Sequence, residues 1–201
     1  MLYPIRLAAA FGLMPFLLNP VHATTLDGQF ATRGLGAVEC QALPAVLDDP
    51  ANNGTRDQFV AWITGYMSYA SRASADTFDV MPIQDNYSVG ALAELLCRDN
   101  PLLLVETVVF EIIKSFENGA VNGVSGVVNI GLDGSTVVLR AETMQRVQDR
   151  LVEAGLLPAA DADGIFGPKT RVALETFQKS AEIQQTGLPD ALTLFFIFKP
   201  S

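Results

Sequence analysis

Histidine is almost absent from this 201-residue chain: there is one, His22, and it falls in an N-terminal segment expected to be removed. Without it, the processed chain has no histidine to ligate zinc, activate a cysteine or complete a Ser-His-Asp triad. Cysteine is nearly as scarce, with only Cys40 and Cys97. Basic residues are few, 13 Lys+Arg against 22 Asp+Glu for a formal net charge of −9. An acidic chain gains nothing from counterion release on a phosphate backbone, which argues against nucleic acid as a partner. The apolar run over residues 7–18 is interrupted by Pro15 and followed by Asn19 and Pro20. That falls short of the roughly 20 apolar residues a membrane-spanning helix needs.

What is present at the N-terminus is a different signal. A single positive charge at Arg6, a short hydrophobic stretch and then Val21-His22-Ala23 form the pattern of a secretory signal peptide over residues 1–23, with small residues placed for cleavage after Ala23. The expectation is export to the periplasm without a lipid anchor, since no cysteine follows the cut. Loss of Arg6 and His22 leaves 12 basic against 22 acidic residues, a formal charge of −10. Any anionic ligand must then be held by local geometry and not by the overall field. In an oxidising compartment Cys40 and Cys97 are expected to form a disulfide, adding about 4 kcal/mol in the chain-entropy description. Two thiols with neither histidine nor Cys-x-x-Cys spacing predict no metal site, and no cofactor is expected.

Residues 24–37, with Gly28, Gly34 and Gly36, read as a flexible lead-in. Over 38–117 the pattern is helical. Thr55 and Gln58 suggest a capping box, after which Phe59, Trp62, Ile63, Tyr66 and Ala70 recur at helical spacing. A second helix is expected over 88–97, with Val89, Leu92, Leu95 and Leu96 on one side. Asn100-Pro101 should break the chain and restart it as an apolar helix over 102–116. Residues 118–139 are rich in turn formers, and the two apolar runs flanking Asp133-Gly134 suggest either a Gly-rich linker or a short hairpin. From 140 onward helices return. Met144, Val147, Leu151 and Leu156 share one face, Pro168 suits the first position of a second helix carrying Val172, Ala173, Phe177 and Ala181 inward, and Asp190 suits the cap of a third. The expected fold class is all-α, a disulfide-tied helical bundle followed by a small three-helix domain. The run Leu194-Phe195-Phe196-Ile197-Phe198 either completes the small core or leaves an apolar patch.

Several spaced blocks in the second half agree in order and separation with one family. Met144-Gln145-Arg146-Val147-Gln148-Asp149-Arg150-Leu151, Gly155-Leu156-Leu157, Asp163-Gly164-Ile165-Phe166-Gly167-Pro168-Lys169-Thr170, Phe177-Gln178, Thr186-Gly187 and Asp190-Ala191-Leu192-Thr193 together resemble the peptidoglycan-binding-domain-1 family over about residues 140–198. The resemblance implies a three-helix domain offering a shallow groove to peptidoglycan, with its stem peptides as the ligand. Residues 157–163 and 164–170 are where that groove is expected, and the candidate site residues are Asp163, Gly164, Phe166, Gly167, Lys169, Thr170 and Arg171. Physics assigns most of these to architecture: Asp163-Gly164 to a positive-φ turn, Gly167 to a tight bend into Pro168, Phe166 and Phe177 to the core. Lys169 or Arg171 would pair with a stem-peptide carboxylate, set against the alternative that each is a solvated surface charge. The stretch Pro158-Ala159-Ala160-Asp161-Ala162 departs from the family's Gly-Pro-rich approach to this turn.

In the first half, Cys40, Trp62-x-x-Gly65-Tyr66-x-Ser68 and Leu92-x-x-x-Leu96-Cys97-x-x-Asn100-Pro101 resemble two kinds of small periplasmic protein over about residues 38–116. These are HdeA-like acid-stress chaperones and the immunity proteins that block type VI secretion amidase effectors. Trp62 and Tyr66 are the candidate protein-interaction residues, set against an alternative role in helix–helix packing. Enzyme chemistry reduces to a carboxylate-only glycosidase using Glu94, Glu106 or Glu111, and helical surface charge accounts for these residues more simply. The sequence therefore reads as a non-catalytic, two-part periplasmic protein: residues 140–198 on the wall, residues 38–117 on an unidentified periplasmic protein.

Overall fold

The apolar periodicity of the first half becomes four helices in the computed structural model, which describes residues 30–49, 51 and 54–199. The expected signal peptide lies outside these residues. Helix α1 spans Leu43–Leu47, α2 Thr55–Ala73, α3 Asn86–Asp99 and α4 Val105–Ser115. Their inward stripes bury Phe59, Ile63 and Met67 on α2, Val89, Leu92 and Ala93 on α3, and Val105, Val108, Val109 and Ile112 on α4. Each large apolar side chain withdrawn from water contributes about 1.5–3 kcal/mol. The Cys40–Cys97 disulfide is present and ties the chain ahead of α1 to the end of α3.

Four local expectations differ from the structure. Helix α2 begins at Thr55 itself, with Gly54 as its cap in a left-handed conformation (φ 107°) and no side-chain cap bond, so the capping box does not form. Helix α4 starts at Val105, because residues 103–105 are drawn into an extended pairing: the Cys40 N–H donates to the Leu103 carbonyl and the Val105 N–H to the Val38 carbonyl. Within the lead-in, Gly34–Ala37 form a 3-10 turn. A Cβ on Gly36 would sit 2.0 Å from Trp62 Cζ2, so only glycine lets the indole lie on this turn. Leu95 on α3 is exposed, not inward.

Between the two helical parts the chain forms a hairpin, β1 (Val127–Leu132) antiparallel to β2 (Ser135–Arg140). Asp133 and Gly134 both have positive φ, 50° and 84°, which is the twist a two-residue hairpin turn requires. Ile130 and Leu139 are buried, and the Gln84 N–H donates to the Val138 carbonyl. The fold is thus mostly helical with a small sheet, and all-α describes it incompletely.

Helices α5 (Ala141–Glu153), α6 (Pro168–Ser180) and α7 (Ala191–Phe198) supply the three helices expected after residue 140. Pro168 occupies the start of α6, and Asp190 caps α7 by accepting from the Thr193 N–H at 2.9 Å. The inward stripe of α6 is Thr170, Ala173, Leu174 and Gln178; Val172 points outward, 59% exposed. That follows from the 3.6-residue period, which sets 172 off the 170–173–174–177–178 face. The run at 194–198 completes a core: Leu194, Phe195, Ile197 and Phe198 are buried, and Phe195 and Phe198 meet Phe116 edge to face. The described residues from Thr32 onward form one compact unit, in which α7 packs on both α3 and α4.

Candidate functional site

The segment joining α5 to α6 is built around one side chain. Gln148, on α5, is fully buried. Its Oε1 accepts from the Gly164 N–H at 2.6 Å, while its Nε2 donates to the Ile165 carbonyl at 3.0 Å and to Thr170 Oγ1 at 2.9 Å. A buried amide satisfied on both ends in this way fixes the loop against the helix. Asp163 closes the turn from outside by accepting from the Ile165 N–H at 2.9 Å. That bond, chiefly, holds its carboxyl below the usual range. Gly164 has φ +78°, where a side chain is strained.

The next connection repeats the device. Gln178, also fully buried, accepts from the Gly187 N–H at 2.9 Å and donates to the Leu188 carbonyl at 3.0 Å and to Thr193 Oγ1 at 2.8 Å. Gly187 has φ +66°. In both copies the glutamine binds a left-handed glycine, the carbonyl one residue later, and the threonine six residues later in the third position of the next helix. The expectation singled out Thr170 but neither glutamine. Two Gln…Gly-x-x-x-x-x-Thr patterns are the signal that would have found them.

Of the expected site residues, Asp163, Gly164 and Thr170 thus belong to the turn's internal bonding, and Phe166 is half-buried against the core. Gly167 differs from expectation. Its φ of −140° and ψ of 179° are ordinary extended backbone, as the residue before proline prefers, and a Cβ there would meet nothing within 4 Å. Lys169 and Arg171 are the accessible cations. Lys169, its side chain 72% exposed, pairs with Asp161 at 2.6 Å. Arg171 pairs with Glu175 at 2.8 Å and reaches Asp133 at the hairpin turn at 3.6 Å; the Glu175 bond chiefly raises its pKa. Exposed ion pairs are worth only about 0–1 kcal/mol, so an incoming carboxylate competes with Asp161 on near-equal terms. Ile165 (69% exposed), in the turn ahead of α6, and Val172, one helical turn after Lys169, present unburied apolar surface. Those two were missed because motif residues and inward periodicity drew attention elsewhere. The residues 158–162 that depart from the family pattern form a short 3-10 turn, Ala159–Asp161, which supplies the Asp161 carboxylate.

In the first half, Trp62 and Tyr66 stack with centroids 5.3 Å apart. Trp62 Nε1 donates to the Arg33 carbonyl at 2.9 Å, and the Tyr66 hydroxyl donates to the buried Glu106 at 2.6 Å. Burial first, and then that carboxylate, raise the Tyr66 pKa above its ordinary value. Both aromatic residues are half-buried and spend their polar atoms inside the chain. Glu94 pairs with Arg56. Glu106 and Glu111 lie five positions apart on α4, a spacing that puts them on different faces. Among the described residues no group of three or more His, Cys, Asp or Glu is arranged to hold a metal ion, and no helix is long and apolar enough to cross a membrane.

Residues 140–196 match the family model described as "Putative peptidoglycan binding domain". The match starts at the last residue of β2 and takes in α5, α6 and nearly all of α7, so this part of the chain is similar to a wall-binding module from end to end. No curated protein and no solved structure matches the chain.

Proposed function

We propose that this is a non-catalytic periplasmic protein held on peptidoglycan through residues 140–196, with stem peptides as the ligand. The family match carries the reading. The surface formed by Lys169, Ile165 and Val172 supports it: a stem peptide offers a free carboxylate beside small apolar side chains, and this surface offers a weakly engaged ammonium beside exposed aliphatic groups. The turn device built on Gln148 holds that surface rigid, which lowers the ordering cost of binding.

The test is co-sedimentation of the chain from residue 24 onward with insoluble peptidoglycan, with the supernatant assayed for released fragments. Retention without release is the expected result, and Lys169→Ala should reduce retention several-fold while leaving the unfolding midpoint unchanged. Absence of retention removes the reading. Release of fragments overturns its non-catalytic part and returns attention to Glu94, Glu106 and Glu111. For residues 38–117 the proposal is contact with a second periplasmic protein, on the strength of the resemblance to HdeA-like chaperones and amidase-immunity proteins. Inhibition of an amidase effector supports the immunity form, and acid-induced exposure of apolar surface, read by dye binding, supports the chaperone form.

A further inference from the structure

Outside the matched residues, a cleft of about 260 Å³ lies between α2 and the segment leading into α3, lined in part by Thr64, Ser68, Phe78, Asp79, Gln84 and Asn86. We infer that this cleft binds a neutral N-acetylated sugar ring, the repeating unit of a wall glycan strand. The inference deepens the proposed function and rests on it for the biological source of the ligand; the chemistry of the cleft stands by itself.

The polar atoms in the cleft are unevenly spent. Thr64 Oγ1 donates to the Val60 carbonyl at 2.7 Å and Ser68 Oγ to the Thr64 carbonyl at 2.8 Å, so each hydroxyl keeps only acceptor capacity. Gln84 uses its Nε2 on Asp79 at 3.0 Å and on the Met81 carbonyl at 3.2 Å, leaving its carbonyl oxygen free to accept. The Asn86 side chain makes no hydrogen bond among the described residues. Ser71 Oγ accepts from the Val80 N–H at 3.2 Å, which leaves its O–H to donate. The cleft therefore offers several acceptors, one hydroxyl donor and one complete amide. A ligand rich in O–H donors and carrying one amide of its own matches that inventory.

Charge and shape narrow the class further. Asp79 is neutralised by Arg140, Nε to Oδ2 at 3.0 Å, so the cleft has no unpaired cation to hold a carboxylate or a phosphate and no free anion to hold an amine. The apolar share comes from Phe78, 39% exposed, with the Arg140 guanidinium over its ring at 5.1 Å, and from Met67, Met81 and Ile83 beneath. A pyranose presents such a surface with its C–H face, and an acetamido methyl adds to it. At about 260 Å³ the cleft lies just below the roughly 300–1,000 Å³ of small-molecule pockets, which limits its ligand to about one ring and rules out an extended peptide.

The wall of the cleft is set before any ligand arrives. The Phe78 and Asp79 N–H groups both donate to the Val121 carbonyl, at 2.8 and 3.0 Å, and the Gln84 N–H donates to the Val138 carbonyl of β2. The chain leading into the hairpin thus pins one end of the 78–84 segment, and β2 of the hairpin pins the other. The hairpin ends at Arg140, the first residue of the matched region, so one residue joins the sugar cleft to the wall-binding part.

The test uses the chain from residue 24 onward and soluble tri-N-acetylchitotriose, which carries no stem peptide, followed by NMR shift titration and calorimetry. Saturable binding with shifts at Phe78, Gln84 and Asn86 is expected. Asn86→Ala and Ser68→Ala are each expected to weaken binding up to about tenfold, the scale of one lost hydrogen bond, with unfolding midpoints unchanged because the Asn86 side chain makes no hydrogen bond among the described residues and Ser68 is exposed. Retention on insoluble peptidoglycan without chitotriose binding overturns this inference and leaves the wall reading intact. Chitotriose binding that neither substitution weakens also overturns it, by placing the sugar elsewhere. Chitotriose binding that both weaken, without retention on peptidoglycan, keeps the sugar cleft and removes the stem-peptide reading.

Discussion

Gln148 and Thr170, 22 positions apart, are joined inside the protein by a 2.9 Å bond from the glutamine amide to the threonine hydroxyl, and Gln178 and Thr193 repeat the relationship at 2.8 Å. Each glutamine also serves a glycine N–H and a loop carbonyl. Gln148→Ala and Gln178→Ala should each cost about 2–3 kcal/mol, because truncation strands several buried polar groups at once. Glutamate in place of either still accepts from the glycine N–H but has no donor for the carbonyl, so it should rescue little. Urea unfolding checks this; a loss under about 0.5 kcal/mol would show that water replaces the side chain without penalty.

The two glycines of the Asp163–Pro168 turn should separate structure from binding. Gly164→Ala forces a Cβ onto a backbone with φ +78° and within 3.2 Å of Gln145 Oε1, and it should cost about 1–2 kcal/mol. Gly167→Ala meets neither obstacle and should leave the unfolding midpoint where it is. If Gly167→Ala nevertheless abolishes retention on peptidoglycan, the ligand approaches the backbone there, and the binding surface extends past Lys169 toward the turn.

How much of this was legible beforehand follows from which forces are local. The hairpin turn at Asp133-Gly134, Pro168 at the start of α6 and the Asp190 cap each depend on residue types at fixed short offsets, and each could be read from the chain; the disulfide, which joins positions 57 residues apart, could be read because the chain has only two cysteines to pair. Two expectations failed because a distant partner decided the matter: Gly34–Ala37 is ordered by Trp62, and the start of α4 is delayed by pairing with the Cys40 segment. The destination of the 194–198 run was open in sequence and is settled by Phe116, whose neighbourhood only the fold supplies. At the candidate site the motif residues were visible, Gln148 and Gln178 among them, but the part these two side chains play in holding the turns was not. Gln148 and Gln178 look like ordinary polar positions on helices until their burial is known.

Asp163 gives the turn a pH dependence of known sign. Its folded-state pKa lies below the ordinary value, chiefly through the Ile165 N–H. A depressed carboxylate contributes stability that is present above the unfolded pKa of about 3.9 and is lost as pH falls through the folded value. Comparison of unfolding midpoints between about pH 6 and pH 2.5 should therefore show a shallower acid decline for Asp163→Asn than for the parent. Asparagine keeps an oxygen for the Ile165 N–H but has no charge to lose. Identical acid limbs would mean that other carboxylates account for the whole decline.

Gly119 and Phe198 test whether the two helical parts unfold together. A Cβ on Gly119 would lie 2.6 Å from Phe198 Cδ2, and the neighbouring Asn118 donates to the Phe198 carbonyl at 3.1 Å, so the end of α7 rests directly on the chain leaving α4. Gly119→Ala should therefore overpack this contact and cost about 1–3 kcal/mol. Trp62 is the only tryptophan, and its fluorescence reports α2, while hydrogen exchange in α6 reports the matched region. With one shared core, both probes should shift by the same amount in denaturant and trace a single transition. If the α6 amides lose protection while Trp62 fluorescence stays unmoved, residues 140–198 form a separately folding domain, and the contact between Phe116 and α7 is a docking surface rather than part of a common core.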